Sequence, residues 1–135
     1  MSRRLGLTTA TASTDGSPVA LVLVALGAAM GAPTRWWVDV SIQRRWAPVF
    51  PWGTFIVNIT GSGLLGAFAA RWTSTSSTFA LVGIGFCGSL TTFSSFAWET
   101  DRLATGGARW MAVANVVATV ALCLGAAAIG WILVH

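Results

Sequence analysis

Small, hydroxylated and aromatic residues are concentrated in one apolar part of the chain, the stretch CGSLTTFSSFAWET at residues 87–100. Glycine and hydroxyl residues in succession weaken a helix, so this stretch predicts a break whose freed carbonyls can bind a cation. Phe93 and Phe96 lie three residues apart and share a helix face. Because ring edges carry partial positive charge, these edges and the nearby hydroxyls suit a small anion, although packing is the commoner cause of such spacing.

Two other apolar segments each contain a line of small and polar residues on one helix face. Polar groups inside a membrane span are costly and usually face protein or water. Asn58 either joins two helices or donates a hydrogen bond to a solute, and its position alone favours the first interpretation. The same two interpretations apply to Thr119. The two lines consist of Thr54, Asn58, Gly61 and Ser62, and of Asn115, Thr119, Cys123 and Ala127.

The composition indicates a chain whose solvent is lipid. Of its 135 residues, 55% are hydrophobic and only 9% are charged, whereas a soluble domain is about 25% charged. A chain of this length buries too little of its surface to hide so much apolar area in its own core. All eight basic residues are arginines, scattered between apolar runs. This distribution is typical of charges that flank membrane spans and argues against a nucleic-acid partner.

Four apolar segments predict an all-α integral membrane protein with one membrane domain at 18–135, because a spanning helix needs about 20 residues. Residues 1–17 predict a mobile N-terminal tail. Its start, SRRLGL, resembles a twin-arginine export signal, but several spans follow it rather than an exported domain. The segment VSIQRRWAPVFP predicts a short connection between the first two spans. The predicted spans are about 18–38, 52–70, 79–104 and 108–134.

An even number of spans places both termini on the same side of the membrane. The arginines then divide into three on the terminal side and five on the other, a weak orientation signal. It permits one fixed topology and also insertion in both directions. The first group is Arg3, Arg4 and Arg71, and the second is Arg35, Arg44, Arg45, Arg102 and Arg109.

The residue inventory argues against an enzyme. The single histidine is the last residue, His135, and the acidic groups Asp39, Glu99 and Asp101 lie near the ends of spans. No nucleophile and base are therefore placed together within the membrane. The two cysteines, Cys87 and Cys123, have no metal-binding spacing and are interpreted as small buried apolar residues.

At the level of motifs, the chain resembles the Fluc, or CrcB-type, fluoride channels. The resemblance lies in PWGTFIVNITGSGLLG at 51–66 and GFCGSLTTFSSFAWE at 85–99, with GAAMGAPTRW at 27–36 similar to the first-span region of that family. It covers nearly all of the chain after the tail. It implies a third helix that is broken and an antiparallel, dual-topology homodimer with two fluoride pores. It further implies passive export of cytoplasmic fluoride across the bacterial plasma membrane, with fluoride, lipid and a second copy as partners.

The resemblance also implies roles for individual residues. Asn58 would be the pore asparagine, and the ring edges of the phenylalanine pair would contact fluoride. The backbone carbonyls of Gly88 and Thr91 would hold a structural sodium ion at the dimer interface. Arg35 and Glu99 would lie near the aqueous vestibules. The full set of implied pore residues is Asn58, Phe93, Phe96, Ser94, Ser95 and Thr119.

Three departures from the family pattern and two competing functions remain at this point. Ser95 stands where the family usually has threonine, Ser89 where it often has glycine, and Pro33 near Arg35 is atypical. A four-span multidrug-type transporter would need an acidic residue in its first span, and residues 18–38 contain none. A membrane scaffold subunit would explain the small-residue faces but not the paired phenylalanines.

Overall fold

The computed structural model describes residues 17–46 and 49–135, and this part of the chain is all helical. The tail predicted at 1–17 therefore lies outside the described residues except for Ser17. Two residues of the first connection, Ala47 and Pro48, also lie outside them. The elements in order are α1 (Pro18–Trp46), α2 (Trp52–Arg71), a π-helical segment (Phe79–Cys87), α3 (Gly88–Leu90), α4 (Phe93–Thr105) and α5 (Arg109–Val134).

Among the described residues, four helical stretches are long and apolar enough to cross a membrane. They are Pro18–Trp46, Trp52–Arg71, Phe79–Thr105 and Arg109–Val134. The prediction of four apolar helices is confirmed. Large apolar side chains remain on the outside of the bundle: Met30 is 66% exposed, Trp110 70% and Leu133 79%. Such an apolar surface is suited to lipid and not to water.

The first helix is longer than the sequence predicts. Its expected end lay near residue 38, but α1 continues to Trp46, so the predicted connection VSIQRRWAPVFP begins too early. Arg44 and Arg45 lie in its last turn, where positive charge is favourable next to the negative end of the helix dipole. Pro33 lies within the helix and does not end it.

Close backbone contact joins α1 to the π-helical segment, and glycine makes this contact possible. A Cβ atom on Gly27 would collide with the carbonyl oxygen of Leu81 and lie 2.8 Å from the backbone nitrogen of Phe86. The backbone of the π-helical segment is widened, since the N–H of Gly88 donates to the carbonyl of Gly83, five residues earlier. Such segments are rare within α-helices and recur at functional positions.

The second and last spans form the other close pair of the bundle. A Cβ atom on Gly66 would collide with the carbonyl oxygen of Ala127, so these two helices also approach at backbone distance. A turn with Gly107 at a φ of 90° connects α4 to α5. This turn places α5 beside both α2 and α4, so the third span packs on α1 through its π-helical segment and on α5 through α4.

Candidate functional site

Two residues with extended backbone separate the helices of the third span. Thr91 has φ −77° and ψ 155°, and Thr92 has φ −149° and ψ 124°. Leu90 ends α3 on one side, and Phe93 begins α4 on the other. The hydroxyl of Thr92 accepts a hydrogen bond from the backbone N–H of Ser95 at 3.3 Å, which caps the start of α4.

The side chain of Asn58 on α2 binds the backbone of Thr92 at this interruption. Its Nδ2 donates to the Thr92 carbonyl at 3.1 Å, and its Oδ1 accepts the Thr92 N–H at 2.8 Å. Both residues are buried, with 7% of Asn58 and 8% of Thr92 exposed. An amide nitrogen has two hydrogens. One N–H of Asn58 therefore remains for a further acceptor.

These side-chain bonds leave two backbone carbonyls without their helical donors. In a continuous helix, the carbonyls of Gly88 and Thr91 would accept from the N–H groups of residues 92 and 95. Here the N–H of Thr92 goes to Asn58 and that of Ser95 goes to the Thr92 hydroxyl. Within residues 17–46 and 49–135, no other backbone donor replaces them. Two free carbonyl oxygens from an unwound segment fit a sodium ion, which prefers oxygen ligands.

A groove of about 300 Å³ lies beside the interruption, between α2, α4 and α5. The ring of Phe93 is 79% exposed, and its centroid lies 5.8 Å from that of Phe96 at an interplanar angle of 49°. The structure therefore brings together four of the six pore residues implied by the family resemblance. The groove is lined by Asn58, Ser62, Leu65, Thr91, Thr92, Phe93, Phe96, Thr119, Val120 and Cys123.

The two serines lie close to Thr92 but outside that groove. The hydroxyl of Thr92 is 3.3 Å from those of Ser94 and Ser95. Ser95 lines a second cavity, of about 200 Å³, together with Arg35 and Thr92. Thr92 borders both cavities and therefore lies between them. Ser94 is exposed and lines neither of the two.

Glu99 is buried near the same end of the third span, with 8% of its surface exposed. Its Oε1 accepts a hydrogen bond from the Thr54 hydroxyl at 3.0 Å, and its Oε2 has no partner within the described residues. It lines a neighbouring cavity of about 290 Å³ together with Asp39 and Arg102. Arg35 and Glu99 thus border adjacent cavities, and Asp39 borders both of them.

Sequence reasoning did not assign a role to Asp39. Its carboxylate packs directly against Gly53 in the first turn of α2, where a Cβ atom would collide with Oδ1. One signal was available, because Asp39 follows Arg35 by four residues and shares its helix face. The structure places both charges at the cavities that adjoin the groove.

Asn115 on α5 is the most deeply buried polar residue near the groove, with 1% of its surface exposed. Its Nδ2 donates to the Thr100 hydroxyl at 2.9 Å, and its Oδ1 accepts from the Thr119 hydroxyl at 3.3 Å. The Thr100 hydroxyl donates to the carbonyl of Phe96 at 2.7 Å. One connected line of hydrogen bonds therefore joins two residues of the groove, Thr119 and Phe96.

Comparison with known proteins gives consistent matches. Residues 22–131 match the family model described as CrcB-like protein, Camphor Resistance (CrcB). The chain is 48% identical over 117 residues to the fluoride-specific ion channel FluC 1 of Frankia casuarinae, covering 81% of this chain and 91% of that protein. It is 46% identical over 112 residues to FluC 1 of Streptomyces avermitilis, with 81% and 90% covered. It is 43% identical over 123 residues to FluC 2 of Mycobacterium tuberculosis, with 90% and 97% covered.

Proposed function

The chain belongs to the CrcB family, and from this premise we propose that it is a fluoride-specific ion channel, as its relatives are named. It is a multi-pass membrane protein with four spanning helices. The observation that supports the proposal most strongly is the groove beside the interrupted third span. This groove is lined by an amide and by two phenylalanine rings, and no charged side chain is among the described residues that line it.

The groove replaces water around fluoride with several weak donors. Asn58 offers its remaining N–H, and Phe93 and Phe96 offer ring edges with partial positive charge. Fluoride is small and a strong acceptor, so a narrow path of donors favours it over chloride. Because no cation is fixed among the lining residues, the ion is held weakly enough to leave the path, as conduction requires.

The cavities that contain Arg35 and Glu99 form the vestibule of this path. Arg35 attracts an anion from water, and Thr92 borders both the Arg35 cavity and the groove. Asp39 and Glu99 bring negative charge to the same end of the chain, which limits how strongly an anion is held there. Ser95, which lines the Arg35 cavity, continues the polar path from the vestibule side, and Ser94 lies next to it beside the Thr92 hydroxyl.

The working unit is an antiparallel dimer with two pores, and the broken third span lies at its interface. Phe93 projects from the single chain with 79% of its surface exposed. A Cβ atom on Gly88 would meet nothing within 4 Å, so this face of α3 is open to a second copy. Cross-linking of single cysteines introduced at this face, in liposomes, would test the arrangement. Cross-links that form only between parallel copies would contradict it.

A sodium ion at the dimer interface would be held by the carbonyls of Gly88 and Thr91 from both copies. Its positive charge would keep these oxygens, which lack helical donors, from repelling one another. The purified dimer should then melt at a higher temperature in sodium chloride than in N-methylglucamine chloride. Equal melting temperatures in the two salts would contradict a structural sodium ion at the dimer interface.

Flow through such a channel is passive, and in a bacterial plasma membrane it lets cytoplasmic fluoride leave down its gradient. This function requires no catalysis, and no observation favours the multidrug-type transporter or the scaffold subunit. Expression in a bacterium that lacks its own fluoride exporter should restore growth in fluoride-containing medium. The Asn58→Ala variant, expressed at the same level, should not. Failure of the unmodified chain to restore growth would contradict the proposed export.

A further inference from the structure

The hydrogen bonds around Asn115 determine which way the hydroxyl of Thr119 points. The backbone carbonyl of Phe96 is only an acceptor, so the Thr100 hydroxyl must donate its hydrogen to it at 2.7 Å. The oxygen of Thr100 can then only accept, and it accepts from Nδ2 of Asn115 at 2.9 Å. The Oδ1 of Asn115 therefore faces Thr119, whose hydroxyl donates to it at 3.3 Å.

The hydroxyl of Thr119 differs in this respect from those of four other threonines among the described residues. These four donate to the backbone carbonyl four residues earlier, whereas Thr119, like Thr54 on α2, donates to a side chain, which for Thr119 is that of Asn115. With its hydrogen directed to Asn115, Thr119 presents only oxygen lone pairs to other groups in the groove. The four that donate to backbone carbonyls are Thr34, Thr91, Thr100 and Thr105.

We propose that Asn115 is a positioning residue that directs the Thr119 hydroxyl away from the ion path and thereby weakens the hold on fluoride. Turning the hydroxyl toward an ion would leave Oδ1 of Asn115 unpaired in a site that is 1% exposed. An unpaired buried acceptor is costly, so Thr119 remains bound to Asn115. This inference rests on the proposed fluoride channel and adds a residue that keeps the ion mobile.

The test is a double-mutant cycle on fluoride flux into liposomes, measured over a range of fluoride concentrations. In Asn115→Leu, the Thr119 hydroxyl can turn to fluoride without leaving a buried amide oxygen unpaired. The half-saturating fluoride concentration should fall about tenfold, the factor that one hydrogen bond to an ion provides. In the Thr119→Val background, adding Asn115→Leu should leave that concentration unchanged, because the hydroxyl is absent.

A purely structural role of Asn115 would change protein yield or melting temperature in both backgrounds but would not move half-saturation through Thr119. Thr105→Val is the matched control, because its hydroxyl binds a backbone carbonyl in an exposed turn. Equal half-saturation in Asn115→Leu and the unmodified chain, or saturation in neither over the same range, would overturn the proposal. The proposal would also be overturned if Asn115→Leu lowered the half-saturating fluoride concentration equally in the Thr119→Val background. Absence of fluoride flux through the unmodified chain would instead contradict the proposed function itself.

Discussion

Asn58 makes the two backbone hydrogen bonds of Thr92 that a continuous third helix would have made itself. The two residues are 34 positions apart in the chain, and one side-chain amide holds the carbonyl at 3.1 Å and the N–H at 2.8 Å. This relationship explains how an interrupted helix is stable at membrane depth, where no lipid can satisfy freed backbone groups. It also positions the start of α4, and with it Phe93 and Phe96.

Replacing Asn58 by alanine should both destabilise the chain and abolish fluoride flux. The change leaves the N–H and the carbonyl of Thr92 buried and unpaired, each at a cost of about 1–3 kcal/mol. Thermal unfolding of the purified protein should show a clear fall in melting temperature. Thr60→Ala, at an exposed position of the same helix, is the control and should leave stability and flux unchanged. Normal stability of Asn58→Ala would contradict the inference that Asn58 holds the backbone of Thr92 in place.

Substitution of Phe93 by isoleucine should reduce fluoride flux while leaving the dimer intact. Isoleucine retains apolar bulk but has no ring edge, and an aromatic contact of this kind is worth about 0.5–1.5 kcal/mol. We therefore expect flux in liposomes to fall by about two- to tenfold. Phe68→Ile is a matched control, since Phe68 packs on Trp72 with centroids 5.3 Å apart and does not line the groove. An equal loss of fluoride flux in both variants would show that the effect comes from lost packing and not from the ring edge of Phe93.

Asp39→Asn should increase fluoride flux when the ionic strength is low. The carboxylate of Asp39 borders the same cavity as Arg35 and opposes the attraction of an anion to that end of the chain. Salt screens such interactions, so the increase should be largest at low salt and disappear at high salt. Asp101→Asn, at an exposed position of α4, is the charge-matched control. A salt-independent effect would show that Asp39 acts by packing on Gly53 instead.

Gly27→Ala should destabilise the bundle, because a Cβ atom at this position would collide with the backbone of the π-helical segment. Overpacking of this kind costs about 1–3 kcal/mol. The matched control is Gly125→Ala, where a Cβ atom would meet nothing within 4 Å of the single chain. Melting temperatures of the two variants should differ clearly. Similar melting temperatures would mean that α1 can move away from the third span.

The number and approximate positions of the spans could be predicted from the sequence, because a run of about 20 apolar residues has one explanation in a chain so poor in charge. The end of α1 could not, since VSIQRRW contains no residue that must end a helix. Spacing placed Phe93 and Phe96 on one helix face, and only the family resemblance placed Thr119 beside them. The structure brings all three to one groove.

The partners of the polar side chains were beyond sequence reasoning. Spacing placed Asn58 on an inner face but gave no indication that both of its polar atoms bind Thr92, because that contact depends on how two distant spans pack. The direction of the hydroxyl of Thr119 depends on three further residues on two helices. Asp39 was overlooked because a single acidic residue near the end of a span is common. A role for it can be inferred only from the cavities that it borders.

The most direct test is ion efflux from liposomes that contain the purified, folded protein, followed with a fluoride electrode and repeated with chloride. We expect rapid loss of fluoride, little loss of chloride, and strongly reduced fluoride loss in Phe93→Ile. Equal loss of both ions, or no fluoride loss from a sample shown to be folded and dimeric, would contradict the proposed function.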